Sequence, residues 1–363
     1  MIDRDDYITF KYEPVTIFKA HGPWKYCREP IIRFMPNGDL VCLIYTGGPR
    51  EPHNDNVELI TRSTDGGRTW SEAEVLFDHT CRATWVSELF TAGERPFTLV
   101  HTFNAESHLM ELNAFISFTD DNGHTWTEPV SMPGVPGGLS IRQGIKLENG
   151  TWCFPVYWQE QTGDWKYEAT GGSVYKNIKW LFRTGCLLSD NQGQSYSLHG
   201  YVATDGLNLW EPNIVETAPG RLLMLMRAGK SGFLYKSEST DGGRTWSPAV
   251  QSDIPNPASK PTLLKHGSHI LLLHNPNTHA EGRRDLALWV SSDGGKTWSK
   301  KLALASVDPD CDTMDDGVSE EDAKKKWITY PHGEINAEEK MLYVACDRKW
   351  QHYLLKIPFS DFM

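Results

Sequence analysis

The chain has 363 residues, a formal net charge of −11 and an isoelectric point near 5.6. That balance excludes a broad electrostatic footprint on nucleic acid or an anionic membrane, while leaving room for a locally basic pocket. With 39% hydrophobic residues and 14 tryptophans the chain can bury a sizeable core, and no apolar run is long enough to cross a bilayer as a helix.

Tyr7 to Ala20 has strand composition. From Pro30 an apolar strand meets a Pro-Asn-Gly-Asp turn at Pro36 to Asp39, Leu40 to Tyr45 runs back, and a polar excursion leads to Val57 to Arg62. That strand ends in the box Ser63-Thr64-Asp65-Gly66-Gly67-Arg68-Thr69-Trp70. Asp-Gly supplies the positive φ of a tight turn between strands, and the carboxylate can accept turn N–H groups. The strand–turn–strand shape recurs around Glu148-Asn149-Gly150, around Pro219-Gly220 and around His266-Gly267. The box recurs at Thr119 to Trp126, Ser189 to Tyr196, Ser239 to Trp246 and Ser291 to Trp298. Its key positions, Asp65, Asp121, Asn191, Asp241 and Asp293, are 56, 70, 50 and 52 residues apart.

Two segments interrupt this rhythm. The 70-residue interval points to an insertion at Tyr157 to Trp180, whose Trp, Tyr and Gly content suits either a loop lining a sugar site or a plain surface elaboration. Asp308 to Lys326 is a charged tract that matches no calcium-binding loop and reads as solvated. Trp327 to Ile335, Met341 to Asp347 and Tyr353 to Ile357 read as further strands without a box.

A repeat near fifty residues with several short strands per unit is the signature of a β-propeller. Five boxed units and a boxless C-terminal set predict an all-β, six-bladed β-propeller, each blade a four-stranded antiparallel sheet, with the whole chain, 1–363, as one domain. The N-terminal strand is expected to complete the last blade and close the ring. Cysteines at 27, 42, 81, 153, 186, 311 and 346 show no metal or disulfide spacing and read mostly as buried free thiols. With no basic, apolar leader at Met1-Ile2-Asp3-Arg4, they predict a cytoplasmic location, or secretion if a signal was trimmed. No metal site and no cofactor is expected.

The boxes resemble the Asp boxes of the sialidase (neuraminidase) superfamily, six-bladed propellers that carry them on the side away from the active site. The resemblance covers about Trp24 to Trp350, and it implies three arginines that bind a substrate carboxylate. Arg28, in Arg28-Glu29-Pro30, matches the family's Arg-Ile-Pro motif, although Glu stands where the family has Ile. Arg227 ends the strand before the fourth box, and Arg283, with Arg284 as the fallback, leads into the fifth. Arg suits this role because its planar fork grips a carboxylate through two bonds and stays charged when partly desolvated. Arg142, beside Gln143, is a further candidate for the pocket.

The same resemblance makes Glu211, in Glu211-Pro212-Asn213-Ile214-Val215-Glu216, the base that serves a tyrosine nucleophile, with Glu216 as a structural partner. Tyr330 stands where the nucleophile stands, followed by Pro-His rather than the usual Ser. The acid/base is expected from the 50–56 loop: Asp55 first, with His53 and Glu51 competing. The implied activity is an exo-acting glycoside hydrolase releasing a terminal sialic acid or related 2-keto acidic sugar. Two alternatives stay open: a lyase or glycosidase acting on uronate polysaccharide through His53 and His332, and a carbohydrate-binding propeller without catalysis. The expected partner is an acidic glycan, with no nucleic acid and no membrane span.

Overall fold

The computed structural model describes residues 6–107, 111–162, 179–204, 207–229, 231–278, 283–307, 327–348 and 350–363. The apolar runs become strands covered on both faces: Leu40–Thr46 is buried at every position, and His269–His274 at all but its first. Six antiparallel sheets form a ring of blades. Blade 1 is Cys27–Phe34, Leu40–Thr46, Val57–Ser63 and Glu74–Phe77. Blade 2 is Ala83–Phe90, Phe97–Phe103, Asn113–Phe118 and Val130–Ser131. In blade 3 the first strand is split into Ser140–Ile141 and Ile145–Lys146, followed by Trp152–Thr162, Lys179–Ser189 and Ser197–Val202. Blade 4 is Leu209–Ala218, Arg221–Ala228, Phe233–Ser239 and Val250–Pro255. Blade 5 is Thr262–His266, His269–His274, Asp285–Ser291 and Lys300–Ser306.

Blade 6 takes Thr329–Asn336, Met341–Arg348 and Gln351–Pro358 from the C-terminal stretch and its fourth strand, Val15–Lys19, from the other end of the chain. Val15 pairs with Leu354 and Lys19 with Gln351, so the predicted ring closure is made by backbone hydrogen bonds. Ile8–Thr9 adds an unforeseen fifth strand, parallel to Lys300–Ser306, at the edge of blade 5. First strands of successive blades adjoin one another, for example 27–34 with 83–90 and with 329–336, which makes them the innermost strands. The core fills the spaces between blades. Leu271, Leu273 and Leu286 of blade 5 pack with Leu342, Val344 and Leu355 of blade 6, and Phe90 and Phe97 of blade 2 meet Trp152 and Phe154 of blade 3. Cys27, Cys42, Cys153, Cys186 and Cys346 are buried free thiols and Cys81 is exposed; Cys311 lies outside the described residues.

Each box joins the third strand of its blade to the fourth. Asp65 Oδ1 accepts the N–H groups of Arg68 and Thr69, both at 2.9 Å, and Oδ2 accepts the Thr69 hydroxyl at 2.7 Å. Asp241 and Asp293 repeat the pattern. Gly67 has φ of 78°, and a Cβ there would sit 2.4 Å from Leu354 Cδ2, so side-chain-free backbone is what lets the turn tuck under blade 6. Strand direction alternates along a blade, so every box lies at the end of the ring opposite the starts of the first strands.

The insertion in blade 3 lengthens a hairpin: Trp152–Thr162 and Lys179–Ser189 stay paired from Trp152↔Ser189 out to Thr162↔Lys179. The remainder of the predicted insertion, 163–178, and the charged tract 308–326 lie outside the described residues.

Candidate active site

At the end away from the boxes, three innermost strands begin with the same irregularity. Glu29, Glu211 and Tyr330 have φ of 45°, 45° and 49°, each precedes a proline, and each sits in a register shift of its strand. Proline disfavours a right-handed helical conformation in the residue before it, and a bulge re-aims a side chain out of the alternating pattern. Left-handed backbone at a non-glycine residue costs about 1–3 kcal/mol and persists only where surrounding structure enforces it. The three bulges turn two glutamates and a tyrosine into the middle of the ring. The sequence signal was present as Glu-Pro, Glu-Pro and Tyr-Pro at the heads of apolar runs, and it was not read as a structural repeat.

The Tyr330 hydroxyl donates to Glu211 Oε1 at 3.2 Å, and Arg227 Nη1 donates to Glu211 Oε2 at 2.8 Å. Burial disfavours charge on Glu211, but Arg227 and Arg142 override it and hold the carboxyl down to about 2. Tyr330 is pushed well above the ordinary phenol range by burial and by Glu211. Arg28, Arg142, Arg227 and Arg283 all interact electrostatically with the Tyr330 phenol. These four residues come from blades 1, 3, 4 and 5, and the fold brings them to one centre.

Three of the guanidiniums lie against an indole: Arg28 over Trp327 at 4.7 Å, Arg142 over Trp85 at 5.1 Å and Arg227 over Trp210 at 5.0 Å. Cation–π contact at these distances helps hold the guanidiniums in place. Arg28 also faces Asp347 at 3.4 Å and Glu51 at 3.7 Å. Arg142 pairs with Glu29 at 2.9 Å and is almost fully buried, so its first partner is a protein carboxylate. Arg283 donates to the Ala258 carbonyl, and burial lowers its proton affinity. It makes no ion pair among the described residues.

Asn56 shapes the 47–56 loop. Its amide donates to the carbonyls of Gly47 and Arg50, and its carbonyl oxygen accepts the Tyr45 hydroxyl at 2.6 Å and the His53 N–H at 2.7 Å. Gly47 is needed there, since its φ is 84° and a Cβ would fall 2.4 Å from the Asp55 carbonyl. The loop carboxyl that reaches the arginines is Glu51. Its side chain is still 41% exposed, yet loss of water around it and the nearby Glu29 push it up to about 7 against the pull of Arg28. Asp55, 76% exposed, pairs with His53 at 3.4 Å; neither makes a hydrogen bond or ion pair with Arg28, Glu211 or Tyr330.

His332 lies deeper, in a buried network where Arg33 bridges Glu88 at 2.8 Å and Glu334 at 3.2 Å and meets the His332 ring at 3.2 Å. Burial, then Arg33 and Lys260, hold that imidazole neutral. Glu216 accepts the N–H groups of Glu148 and Gly220. Sequence reasoning missed Glu29 as an ion-pair partner, Asp347, Lys260 and the three indoles. A cavity of about 630 Å³ between blades 1 and 2, lined by Phe77, His79, His124 and Trp126 among others, contains none of the candidate residues. No grouping of His, Cys, Asp and Glu suited to a metal ion occurs among the described residues.

The BNR repeat-like domain family matches residues 38–341. The chain is 24% identical over 300 residues to a sialidase of Bacteroides fragilis, covering 69% of this chain and 51% of that protein. It is 25% identical over 310 residues to a sialidase of Micromonospora viridifaciens, covering 75% and 45%. It thus spans about half the length of these curated relatives. Among solved structures, the Hadza microbial sialidase Hz136 superposes with a TM-score of 0.72 at 16% identity, covering 94% of this chain and 67% of that one. A Dyadobacter fermentans protein of unknown function superposes at 0.70 and 14% identity, covering 96% and 98%. The chain belongs to the BNR repeat-like domain family, the Asp-box propellers of the sialidase superfamily.

Proposed function

We propose that the chain is an exo-acting glycoside hydrolase that releases a terminal sialic acid or a related 2-keto acidic sugar by a retaining mechanism with Tyr330 as nucleophile. The observation that carries this reading is the chain of contacts from Tyr330 through Glu211 to Arg227, surrounded by Arg28, Arg142 and Arg283. In a 2-keto acidic sugar the anomeric carbon bears a carboxylate. A carboxylate nucleophile would approach like charge in a poorly screened site, whereas a phenol avoids that repulsion.

Arg28, Arg227 and Arg283 hold the sugar carboxylate. With Arg227 and Arg142 beside it, Glu211 is by itself a weak base. An anion engaging those guanidiniums offsets part of their field and raises the proton affinity of Glu211. Glu211 then accepts the phenolic proton as the Tyr330 oxygen bonds to the anomeric carbon and the glycosidic bond breaks. We assign the acid to Glu51, which is poised near neutrality and gives its proton to the leaving oxygen. In the second step Glu51 takes a proton from water, the resulting hydroxide displaces the tyrosine, and Glu211 returns the proton to the phenolate.

The direct test is turnover of a synthetic aryl sialoside, followed by the released aryl group and by the anomeric form of the first product. Aryl release with retention supports the reading. A rise in ultraviolet absorbance on a uronate polymer supports a lyase instead, and retention of a glycan without turnover supports a binding propeller.

A further inference from the structure

Lys260 lies in the segment that leads into the first strand of blade 5, two residues after Ala258, whose carbonyl takes the Arg283 hydrogen bond. Asn256 fixes the segment by accepting the Ser259 N–H at 2.8 Å. The Thr262 hydroxyl ties it to the chain beside Tyr330 by donating to the Pro331 carbonyl at 2.6 Å. The Lys260 ammonium stands 5.7 Å from the centre of the Tyr330 ring.

The residue is only 7% exposed, and its side chain forms no ion pair or hydrogen bond among the described residues. Lysine is almost never buried without a partner, because the interior offers little to replace its hydration. The other site cations mostly have carboxylates: Arg28 has Asp347, Arg142 has Glu29 and Arg227 has Glu211. Arg283 and Lys260 have none.

We propose that Lys260 is a specificity-determining contact of the sugar site. Its ammonium takes an acceptor oxygen of the bound acidic sugar, separate from the carboxylate held by the arginines, and selects ligands that present such an oxygen to the pocket floor. This rests on the acidic-sugar reading and adds a fifth cation, beside the four arginines, that the family resemblance did not supply.

The groups facing Lys260 are Tyr330 and His332 of blade 6, Glu211 of blade 4, Glu29 of blade 1, Glu88 of blade 2 and Arg142 of blade 3. Burial lowers the amine to about 8, opposed by Glu29 and Glu211 and aided by Arg142. The contact therefore weakens as pH rises through that value.

The test compares Lys260→Met and Lys260→Arg with the wild type on an aryl sialoside between pH 6 and 9. We expect Lys260→Met to raise KM at least about tenfold with kcat within a few-fold, and Lys260→Arg to recover part of the loss. Wild-type KM should climb above pH 8, and that climb should be absent in Lys260→Met and displaced upward in Lys260→Arg. A folded Lys260→Met with wild-type KM across this range overturns the proposal while leaving the hydrolase reading intact. If the wild type turns over no aryl sialoside, the hydrolase reading fails, and the contact is read on an acidic-glycan array. Loss of a retained glycan by Lys260→Met then supports the proposal. Equal retention, or no acidic glycan held by the wild type, overturns it.

Discussion

The two ends of the propeller both hold carboxylates, and they hold them in opposite ways. At the box end Asp65 and Asp121 are half-buried and Asp241 and Asp293 exposed, and all four are bonded by N–H and hydroxyl groups within four residues. Those bonds favour the charged form, and Asp121 is drawn down to about 2. At the site end the partners are distant in sequence: Arg142 reaches Glu29 across 113 residues and Arg28 reaches Asp347 across 319. There burial and like charge lift Glu51 and Glu88 to about 7, while arginines hold Glu211 near 2. The box end spends its carboxylates on holding a turn. The site end keeps neighbouring carboxyls at very different proton affinities, which is the arrangement acid–base chemistry requires.

Substitutions at the two ends should therefore separate activity from stability. The largest effect is expected for Tyr330→Phe, which should lower kcat by about 10³-fold or more while ligand binding and Tm stay near wild type. Calorimetric binding and single-turnover kinetics check this, and near-normal turnover would remove the tyrosine from the mechanism. Next comes Glu51→Gln, with a loss of about 10²–10³-fold in kcat. In the wild type Glu51 carries its proton below about 7, so kcat should fall as pH rises through that value. Asp55→Asn should keep the same profile, and a lost alkaline limb in Asp55→Asn would return the acid role to that residue.

The smallest effect belongs to the box end. Asp241→Ala removes the acceptor for the Thr245 N–H and two hydroxyls and should cost about 1 kcal/mol, with kcat per folded molecule unchanged. Thermal melting and active-site titration separate the two quantities. The pH dependence has a definite sign. The folded-state carboxyl is depressed, burial being outweighed by bonds from Thr245 and Ser239. Its stabilisation is thus present above the ordinary aspartate range near 3.9 and fades as pH falls below it. Asp241→Ala should have a shallower acid melting curve than the wild type. A selective loss of turnover in this variant would blur the distinction between the ends.

The sequence by itself determined the ring. A box whose bonds all close within four residues must repeat as a local pattern, so five boxes, the six blades and the closing strand at Val15–Lys19 were readable without coordinates. The resemblance of its motifs to those of the sialidase family singled out Arg28, Arg227, Arg283, Glu211 and Tyr330. The tertiary structure decided what those motifs do not encode. Glu51 rather than Asp55 faces Arg28, because Asn56 and the glycine at 47 fold the loop back on itself. Arg142 is occupied by Glu29, the residue that departs from the family motif. Lys260 adjoins Tyr330 because blade 5 packs on blade 6 and Thr262 ties the two by a hydrogen bond. The Arg142–Glu29 and Lys260–Tyr330 contacts join different blades, and the Glu51–Arg28 contact joins a loop to the first strand of its own blade, so the strength of each depends on distance, burial and the charges around it, and those exist only once the chain has folded.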